Sequence, residues 1–147
     1  MSYETLLVAI DVNDPDNAKA ALRGVRDLIG GDLAASKVII LYVRHYLPTR
    51  YAEMLSSDFD LREREEAEIL IREWAVYQGL DRIEIVTRRG RVRDEVIGEA
   101  KKRGADVIVI GSHQPTITTR LLGSNASAII RDSPISVLVV RGEGGEG

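Results

Sequence analysis

The chain has 147 residues, of which 44% are hydrophobic and 29% charged, and a formal net charge of -3. These values are typical of one globular domain, and the acidic balance argues against nucleic acid as the main partner. The absence of cysteine excludes disulfides and zinc–thiolate sites, and two histidines give little support to a metal site. Because no apolar stretch is long enough for a membrane span or a secretory signal, we expect a cytoplasmic protein that binds no membrane.

Apolar runs of strand length alternate with segments of helical spacing. The helices are expected after Pro15, over Leu61–Gln78, from Val92, and after Gly123-Ser124. Such alternation predicts a single doubly wound α/β domain, with a five-stranded parallel sheet and helices on both faces. Its ligands should lie outside the carboxyl ends of the strands. The predicted strands are Thr5–Ile10, Lys37–Val43, Arg82–Thr87 (nearer an edge, and ended by Gly90), Ala105–Ile110 and Ser136–Val140.

Two further segments lack this patterning. Arg44–Asp60 is irregular and predicts a long loop with a turn of helix around Tyr51–Leu55. Residues 142–147, Gly-Glu-Gly-Gly-Glu-Gly, are low in complexity and predict a disordered tail. The domain is therefore expected to span residues 1–141.

The stretch from Gly111 to Asn125 combines two glycines with small and hydroxyl-bearing residues between a strand and a helix. Glycine lets backbone N–H groups approach a phosphate, and a helix start offers unpaired donors and a positive dipole end. This pattern favours a loop that holds nucleotide phosphates. An ordinary strand-to-helix connection would have the same pattern.

From Leu6 to Arg141 the sequence resembles the universal stress proteins. Nucleotide-binding members carry a glycine, two residues, a second glycine, about nine residues, and Gly-Ser or Gly-Thr. Here Gly111 and Gly123-Ser124 match, whereas Gln114 stands at the second glycine and the spacer is one residue short. The resemblance implies a flavodoxin-like strand order 3-2-1-4-5 and dimerisation through Ser136–Val140, an apolar edge that needs a partner. It also implies ATP or AMP as ligand, with Mg²⁺ as the ion that would accompany ATP.

The resemblance also implies a set of nucleotide-binding positions. Asp11 would accept hydrogen bonds from ribose or adenine, unless it only caps the following helix. Ala9, Ile10 and Val43 would face the base, or simply pack in the core. The remaining candidates are a turn glycine, Gly90, and the phosphate-loop residues Gly111, His113, Gln114, Gly123, Ser124 and Asn125.

Efficient catalysis is not expected. His113 could move a proton, but no partner that would orient it is evident, and Arg120 is either a phosphate neighbour or a solvated side chain. The basic run Arg88–Arg93 predicts a solvated turn or a patch for an anion or an acidic partner. The chain has neither a Walker loop nor a Gly-x-Gly-x-x-Gly fingerprint.

Three functional hypotheses follow. The first is a stress-response regulator that binds adenine nucleotide as a dimer without efficient turnover. The second is a dimeric interaction module that binds no nucleotide. The third is a slow ATP hydrolase, or a protein that phosphorylates itself on Ser124 or a loop threonine.

Overall fold

A computed structural model describes residues 3–30, 36–45, 57–112 and 123–142. In that part of the chain, five strands form one parallel sheet in the order β3-β2-β1-β4-β5, so the predicted α/β architecture is confirmed. The predicted positions Gln114, His113 and Arg120, the helical turn at 51–55 and the tail after 142 lie outside the described residues. The elements are β1 (Thr5–Ile10), α1 (Pro15–Ile29), β2 (Lys37–His45), α2 (Ser57–Tyr77), β3 (Ile83–Gly90), α3 (Val92–Arg103), β4 (Val107–Ser112), α4 (Ser124–Asp132) and β5 (Ser136–Arg141).

The boundaries differ from the sequence prediction around the expected loop. β2 continues to His45, and α2 begins at Ser57, four residues before the predicted start. β3 continues three residues beyond the predicted strand end at Thr87 and ends at Gly90, the glycine expected to end it. The physical reason is pairing: Arg44 lies opposite Arg89 and His45 opposite Gly90, so the two strands extend together.

The sheet divides the core into two layers. Alternate residues of each strand point to opposite faces, and Leu6 and Val8 pack with α1 and α2, whereas Leu7 packs with α3 and α4. All three side chains are fully buried. Burying each such side chain contributes roughly 1.5–3 kcal/mol, so these strands anchor the fold.

α1 begins and ends with the residues that helix chemistry favours. The Asp14 carboxylate accepts from the Asn17 N–H, Pro15 occupies the first turn, and Gly30 ends the helix with φ 67°. Mid-helix, Gly24 faces Val140 of β5, and a Cβ there would collide with the valine side chain. This close approach presses α1 onto the sheet beside β4 and β5.

β1 and β4 are neighbours, as the sequence hypothesis required, with Leu7 opposite Ile108. α1, which follows β1, and α4, which follows β4, pack on opposite faces of the sheet. Such a reversal leaves a crevice at the carboxyl edge between the two strands. β3 and β5 form the two sheet edges. Among the described residues, no helix is both long and apolar enough to cross a membrane.

Candidate functional site

A cavity of 340 Å³ lies at the carboxyl edge of β1, β2 and β4, between the start of α1 and the start of α4. Its volume is within the range of small-molecule sites. Most of the predicted nucleotide-binding residues line this cavity. The predicted residues that line it are Ala9, Ile10, Asp11, Val43, Gly111, Gly123, Ser124 and Asn125.

Three predicted residues are not among the lining residues described. Gly90 is in β3, where a Cβ would come within 3.0 Å of the Glu95 side chain, so its small size serves the contact with α3. His113 and Gln114 lie outside the described residues.

Asp11 lies at the mouth of the cavity with an exposed side chain. Its carboxylate accepts a hydrogen bond of 2.8 Å from the Asn13 N–H. It does not cap α1, because that role belongs to Asp14, whose carboxylate also accepts from the Asn17 side-chain amide at 2.7 Å. Asp11 therefore shapes the turn after β1 and still presents a carboxylate to the solvent side of the cavity.

The floor of the cavity is apolar. Ala9 and Val43 are half-buried and pack against the core layer below α3 and α4. Val92 and Val96, on the first turns of α3, complete this surface. Sequence reasoning placed these two valines only on a helix, because nothing in their spacing shows which strand end the helix covers.

The amino terminus of α4 opens onto the cavity without a cap. Gly123 is the N-cap residue and has no side chain to accept from the first-turn N–H groups. The first turn of α4 holds no acidic residue, whereas those of α1, α2 and α3 carry Asp16, Asp58 with Asp60, and Asp94 with Glu95. The positive end of the α4 dipole is therefore not balanced by a carboxylate of its own first turn.

Ser112 was missed by the sequence reading. It is the last residue of β4, only 5% exposed, and lines the same cavity. Its Oγ is buried and has no hydrogen-bond partner in the part of the chain that the structure describes. A buried hydroxyl without a partner costs about 1–3 kcal/mol, so this atom favours a ligand that would bond to it. A serine after a strand glycine carries no signal of burial, which explains the omission.

The two motif glycines have different surroundings. A Cβ on Gly111 would collide with the carbonyl oxygen of Asn17, so this glycine lets α1 cross β4 at close range. Gly123 has φ -61°, which any residue adopts, and no described residue lies within 4 Å of a Cβ there. The glycine at Gly111 is thus required by packing within the protein, whereas the space at Gly123 faces the cavity.

A cluster of charges closes the neighbouring strand end. The Arg44 side chain, 7% exposed, lies 2.7 Å from Asp60 and 3.3 Å from Glu63, both on α2. Arg89 of β3 contacts the same Asp60 oxygen at 3.0 Å. The guanidinium groups of Arg44 and Arg89 lower the pKa of the Asp60 carboxyl.

Tyr42 lies between this cluster and the cavity. Burial raises the pKa of its hydroxyl, and the nearby carboxylates of Asp11 and Glu63 raise it further. The phenol is therefore held in its neutral form well above neutral pH.

The basic run before α3 is largely paired with carboxylates. Arg88 lies 3.5 Å from Glu99, and Arg93 lies 3.1 Å from Asp132. Arg91, by contrast, is exposed at the N-cap position of α3. These contacts favour the interpretation of the run as a surface turn. Across the described ranges, no group of three or more histidine, aspartate or glutamate side chains is placed to hold a metal ion.

Comparison with known proteins identifies the family. Residues 2–141 match the model of the universal stress protein family. Universal stress protein G of Escherichia coli O157:H7 is 36% identical over 147 residues, covering 95% of this chain and 99% of that protein. A universal stress protein solved in complex with cAMP is 26% identical, with a TM-score of 0.60, covering 95% of this chain and 98% of that one.

A second solved structure agrees in fold. The universal stress protein of Archaeoglobus fulgidus, solved with dAMP, has a TM-score of 0.64 at 20% identity and covers 95% of this chain and 99% of its own. The family model matches nearly the whole chain, and the relatives are matched over almost their full length. The chain belongs to the universal stress protein family.

Proposed function

We propose that this protein binds an adenine nucleotide, ATP or AMP, in the cavity at the carboxyl edge of the sheet, and that it acts as a regulatory dimer in a stress response. The observation that carries the proposal is the buried hydroxyl of Ser112, to which no described residue bonds, in the same cavity as the start of α4, where the N-cap residue makes no side-chain hydrogen bond. Two relatives of similar fold were solved with cAMP and dAMP, which supports an adenine nucleotide as the ligand class.

The phosphate end of the ligand fits the α4 side of the cavity. Gly123, Ser124 and Asn125 line it there, and their backbone N–H groups belong to the first, unpaired turn of the helix. Ser112 adds a hydroxyl that can donate to a phosphate oxygen or accept from a ligand hydroxyl. An anion at this position would supply the negative charge that the first turn of α4 lacks.

The adenosine end fits the opposite side. The half-buried Ala9 and Val43, with Val92 above them, give an apolar surface for the base. The exposed carboxylate of Asp11 can accept from ribose hydroxyls at the cavity mouth. Apolar walls with a few placed polar groups are the usual composition of a small-molecule site.

We propose binding without efficient turnover. Among the described lining residues, the carboxylates are those of Asp11 and Asp14, and both are used within the protein. Asp11 accepts from the Asn13 N–H in the turn before α1, and Asp14 accepts from the Asn17 side-chain amide. A general base for water attack has to be placed toward the terminal phosphate. The measurement is phosphate release from ATP with Mg²⁺, for which we expect a rate far below that of dedicated ATPases.

We also propose that two copies pair through β5. This strand is a sheet edge, and Val137, Leu138, Val139 and Val140 are each only half-buried within one copy. An apolar edge strand is a template for a further strand. Sedimentation of the purified protein should give a dimer at micromolar concentration, and a monomer would overturn this part of the proposal.

The binding test uses the chain and two serine variants. Mass analysis of the purified protein should find retained adenine nucleotide, and calorimetry should find binding of ATP or AMP. Ser112→Ala should weaken binding about fivefold, since one neutral hydrogen bond is worth about 1 kcal/mol. It should not lower stability, because it removes a buried hydroxyl to which no described residue bonds.

Ser127→Ala is the matched control. Ser127 is exposed on α4, the helix that follows Ser112 in the chain, and is not among the residues that line the cavity. Its removal should leave affinity unchanged. Absence of retained nucleotide together with no binding at millimolar ATP or AMP would overturn the proposal. The interaction module without nucleotide would then be the better hypothesis.

A further inference from the structure

The outward face of α2 carries an unusual concentration of exposed apolar side chains. Of the seven large hydrophobic residues exposed in the described part of the chain, five are on this helix. Most of the remaining surface of α2 is charged, and its buried side is formed by Ala67, Ile71 and Ala75. The exposed five are Phe59 (52%), Leu61 (52%), Ile69 (61%), Val76 (57%) and Tyr77 (87%).

Five residues follow one another along this face at helical spacing: Leu61, Glu65, Ile69, Arg72 and Val76. We call this set the α2 stripe. Its spacing of four, four, three and four residues keeps all five side chains on one side of the helix, opposite the buried stripe. All five are exposed. Part of this face, together with Glu68, Glu73 and Tyr77, borders an open groove of 750 Å³.

Along the chain, the α2 stripe is apolar, acidic, apolar, basic and apolar. An antiparallel second copy therefore places apolar residues beside apolar ones and acidic residues beside basic ones. When two copies lie antiparallel about a point beside Ile69, Leu61 is level with Val76 of the second copy. Glu65 is then level with the second copy's Arg72, and each contact occurs twice. A parallel pair would instead place equal charges at the same level, which is unfavourable.

The charges of the α2 stripe are available for such contacts. Neither Glu65 nor Arg72 forms an ion pair with another residue of the described chain, and both side chains are exposed. The acidic Glu63, by contrast, is used within the chain by Arg44. Charge pairs at the rim of an apolar contact select the orientation of the partner more than they add affinity.

We infer that the α2 stripe is a contact surface for a second copy of this chain, packed antiparallel through Leu61, Ile69 and Val76. This surface is separate from β5, the last strand at the opposite side of the sheet order. One pair of helices buries less area than a standard interface of roughly 1,600 Å². The contact is therefore weak by itself, and it would join pairs of copies already held through another surface.

Disulfide trapping tests the geometry directly, because the chain has no cysteine of its own. Ile69→Cys places a thiol beside the midpoint, so mild oxidation should give a covalent dimer. Val76→Cys is the matched control on the same face. The two copies of residue 76 would be about 22 Å apart along an antiparallel pair, at 1.5 Å per residue, and should not cross-link. A disulfide needs Cβ atoms only about 4 Å apart.

A mixture of Leu61→Cys and Val76→Cys proteins should cross-link to each other, since those positions are level in the antiparallel pair. Equal cross-linking of Ile69→Cys and Val76→Cys alone would overturn the antiparallel arrangement. No cross-linking of Ile69→Cys at any protein concentration would overturn the contact itself. Cross-linking to a different protein in a lysate, without self-cross-linking, would also overturn it.

Charge reversal gives a second, independent test. Glu65→Arg or Arg72→Glu alone should reduce the cross-linking yield of Ile69→Cys at least several-fold, because each creates two repulsive pairs. Combining both reversals exchanges acid and base and should restore the yield. Failure of the double variant to recover, in protein with an unchanged circular dichroism spectrum, would contradict the proposed pairing.

Discussion

The carboxyl ends of β2 and β4 lie at the same edge of the sheet but differ in how their buried polar groups are paired. At the end of β2, the buried Arg44 is met by Asp60 and Glu63 of α2 at 2.7 and 3.3 Å. At the end of β4, the equally buried Ser112 hydroxyl has no hydrogen-bond partner among the described residues, and the first turn of α4 carries no acidic residue to balance its dipole. The charge at the β2 end is thus paired from within the chain, although the Arg44 Nε has no hydrogen-bond partner in the described ranges. At the β4 end, the described residues pair neither the hydroxyl nor the helix start.

This difference separates structural polar groups from groups that favour a ligand. A buried charge requires compensation in every folded molecule, since an unpaired ion costs several kcal/mol. A single hydroxyl and an open helix start cost much less and can remain unsatisfied until a ligand arrives. Substitution of the packed and paired groups should therefore lower the free energy of unfolding strongly. Substitution at the open β4 end should mainly change ligand affinity.

The largest effect should come from Gly111, which belongs to the packed part of the β4 end. Gly111→Ala would drive a methyl group into the Asn17 carbonyl and force α1 away from β4. We expect a loss of at least about 3 kcal/mol in the free energy of unfolding, measured by chemical denaturation. Gly98→Ala is the control, because Gly98 is exposed within α3 with nothing within 4 Å of its Cβ. That change should stabilise by up to about 1 kcal/mol.

Asp60→Asn should have the next largest effect, because it removes a carboxylate that Arg44 and Arg89 share. Arg44 keeps Glu63, so we expect a loss of about 2 kcal/mol at neutral pH, typical of a hydrogen bond to a charged group. Asp58→Asn, at an exposed position in the same first turn, should change stability by less than about 0.5 kcal/mol. Equal losses in the two variants would show that the charge pairing at the β2 end does not stabilise the fold.

The effect of Asp60→Asn should also depend on pH. The pKa of Asp60 is lowered in the folded protein from its ordinary value of 3.8. Its stabilising contribution is therefore fully present above pH 3.8 and is lost as the pH falls through the lower, folded pKa. The difference in unfolding free energy between wild type and Asp60→Asn should thus be constant near neutrality and shrink below about pH 4. A difference that grows on acidification would contradict the pairing.

The open end of β4 should respond in affinity. Asn125→Asp adds a carboxylate of the same shape to the first turn of α4. The charge should interact favourably with the helix dipole and raise stability by about 0.5 kcal/mol. It should repel the phosphates of a bound nucleotide and weaken binding about tenfold, which calorimetry with ATP would measure.

Ser127→Asp is the control for position, since it adds the same charge to α4 at a residue outside the cavity lining. It should weaken binding by less than twofold in buffer of physiological ionic strength, where exposed charges are screened. If both variants weaken ATP binding equally, the effect is one of net charge, and the first turn of α4 is not the phosphate site.

The sequence predicted the strands and main helices that form both strand ends, but not the contacts that make the two ends differ. Apolar runs and helical spacing predicted the strands and the main helices, because burial on both faces of a parallel sheet leaves a clear pattern. The strand order came from the family resemblance. The link between Arg44 and Asp60 could not be predicted, since the residues are 16 positions apart and neither position shows a pattern of charge pairing. The segment predicted as a loop, Arg44–Asp60, includes the end of β2 and the first turn of α2.

The candidate site shows the same limit. The motif identified Gly111 and Gly123 together as phosphate-loop glycines, and both do line the cavity. The sequence does not show which atoms lie beside a glycine in the fold. The close approach of the Asn17 carbonyl to Gly111 was therefore not predicted. Ser112 was passed over for a similar reason, because a serine that follows a glycine is compatible with both burial and exposure.

Gly123→Ala should lower stability far less than Gly111→Ala, and this difference separates the two motif glycines. The backbone there is extended, at φ -61° and ψ 160°, and no atom of residues 3–30, 36–45, 57–112 or 123–142 lies within 4 Å of the position of the new methyl group. We therefore expect the unfolding free energy to fall by less than about 1 kcal/mol, through the weaker N-cap propensity of alanine. The methyl group would project where a phosphate should approach the first N–H groups of α4, so nucleotide affinity should fall more than stability does.

Denaturation and calorimetry on one preparation of the Gly123→Ala protein would compare the two losses. A variant that binds ATP as well as wild type would show that the phosphates do not approach the helix at Gly123, whereas a loss of stability as large as that of Gly111→Ala would show that both glycines serve packing.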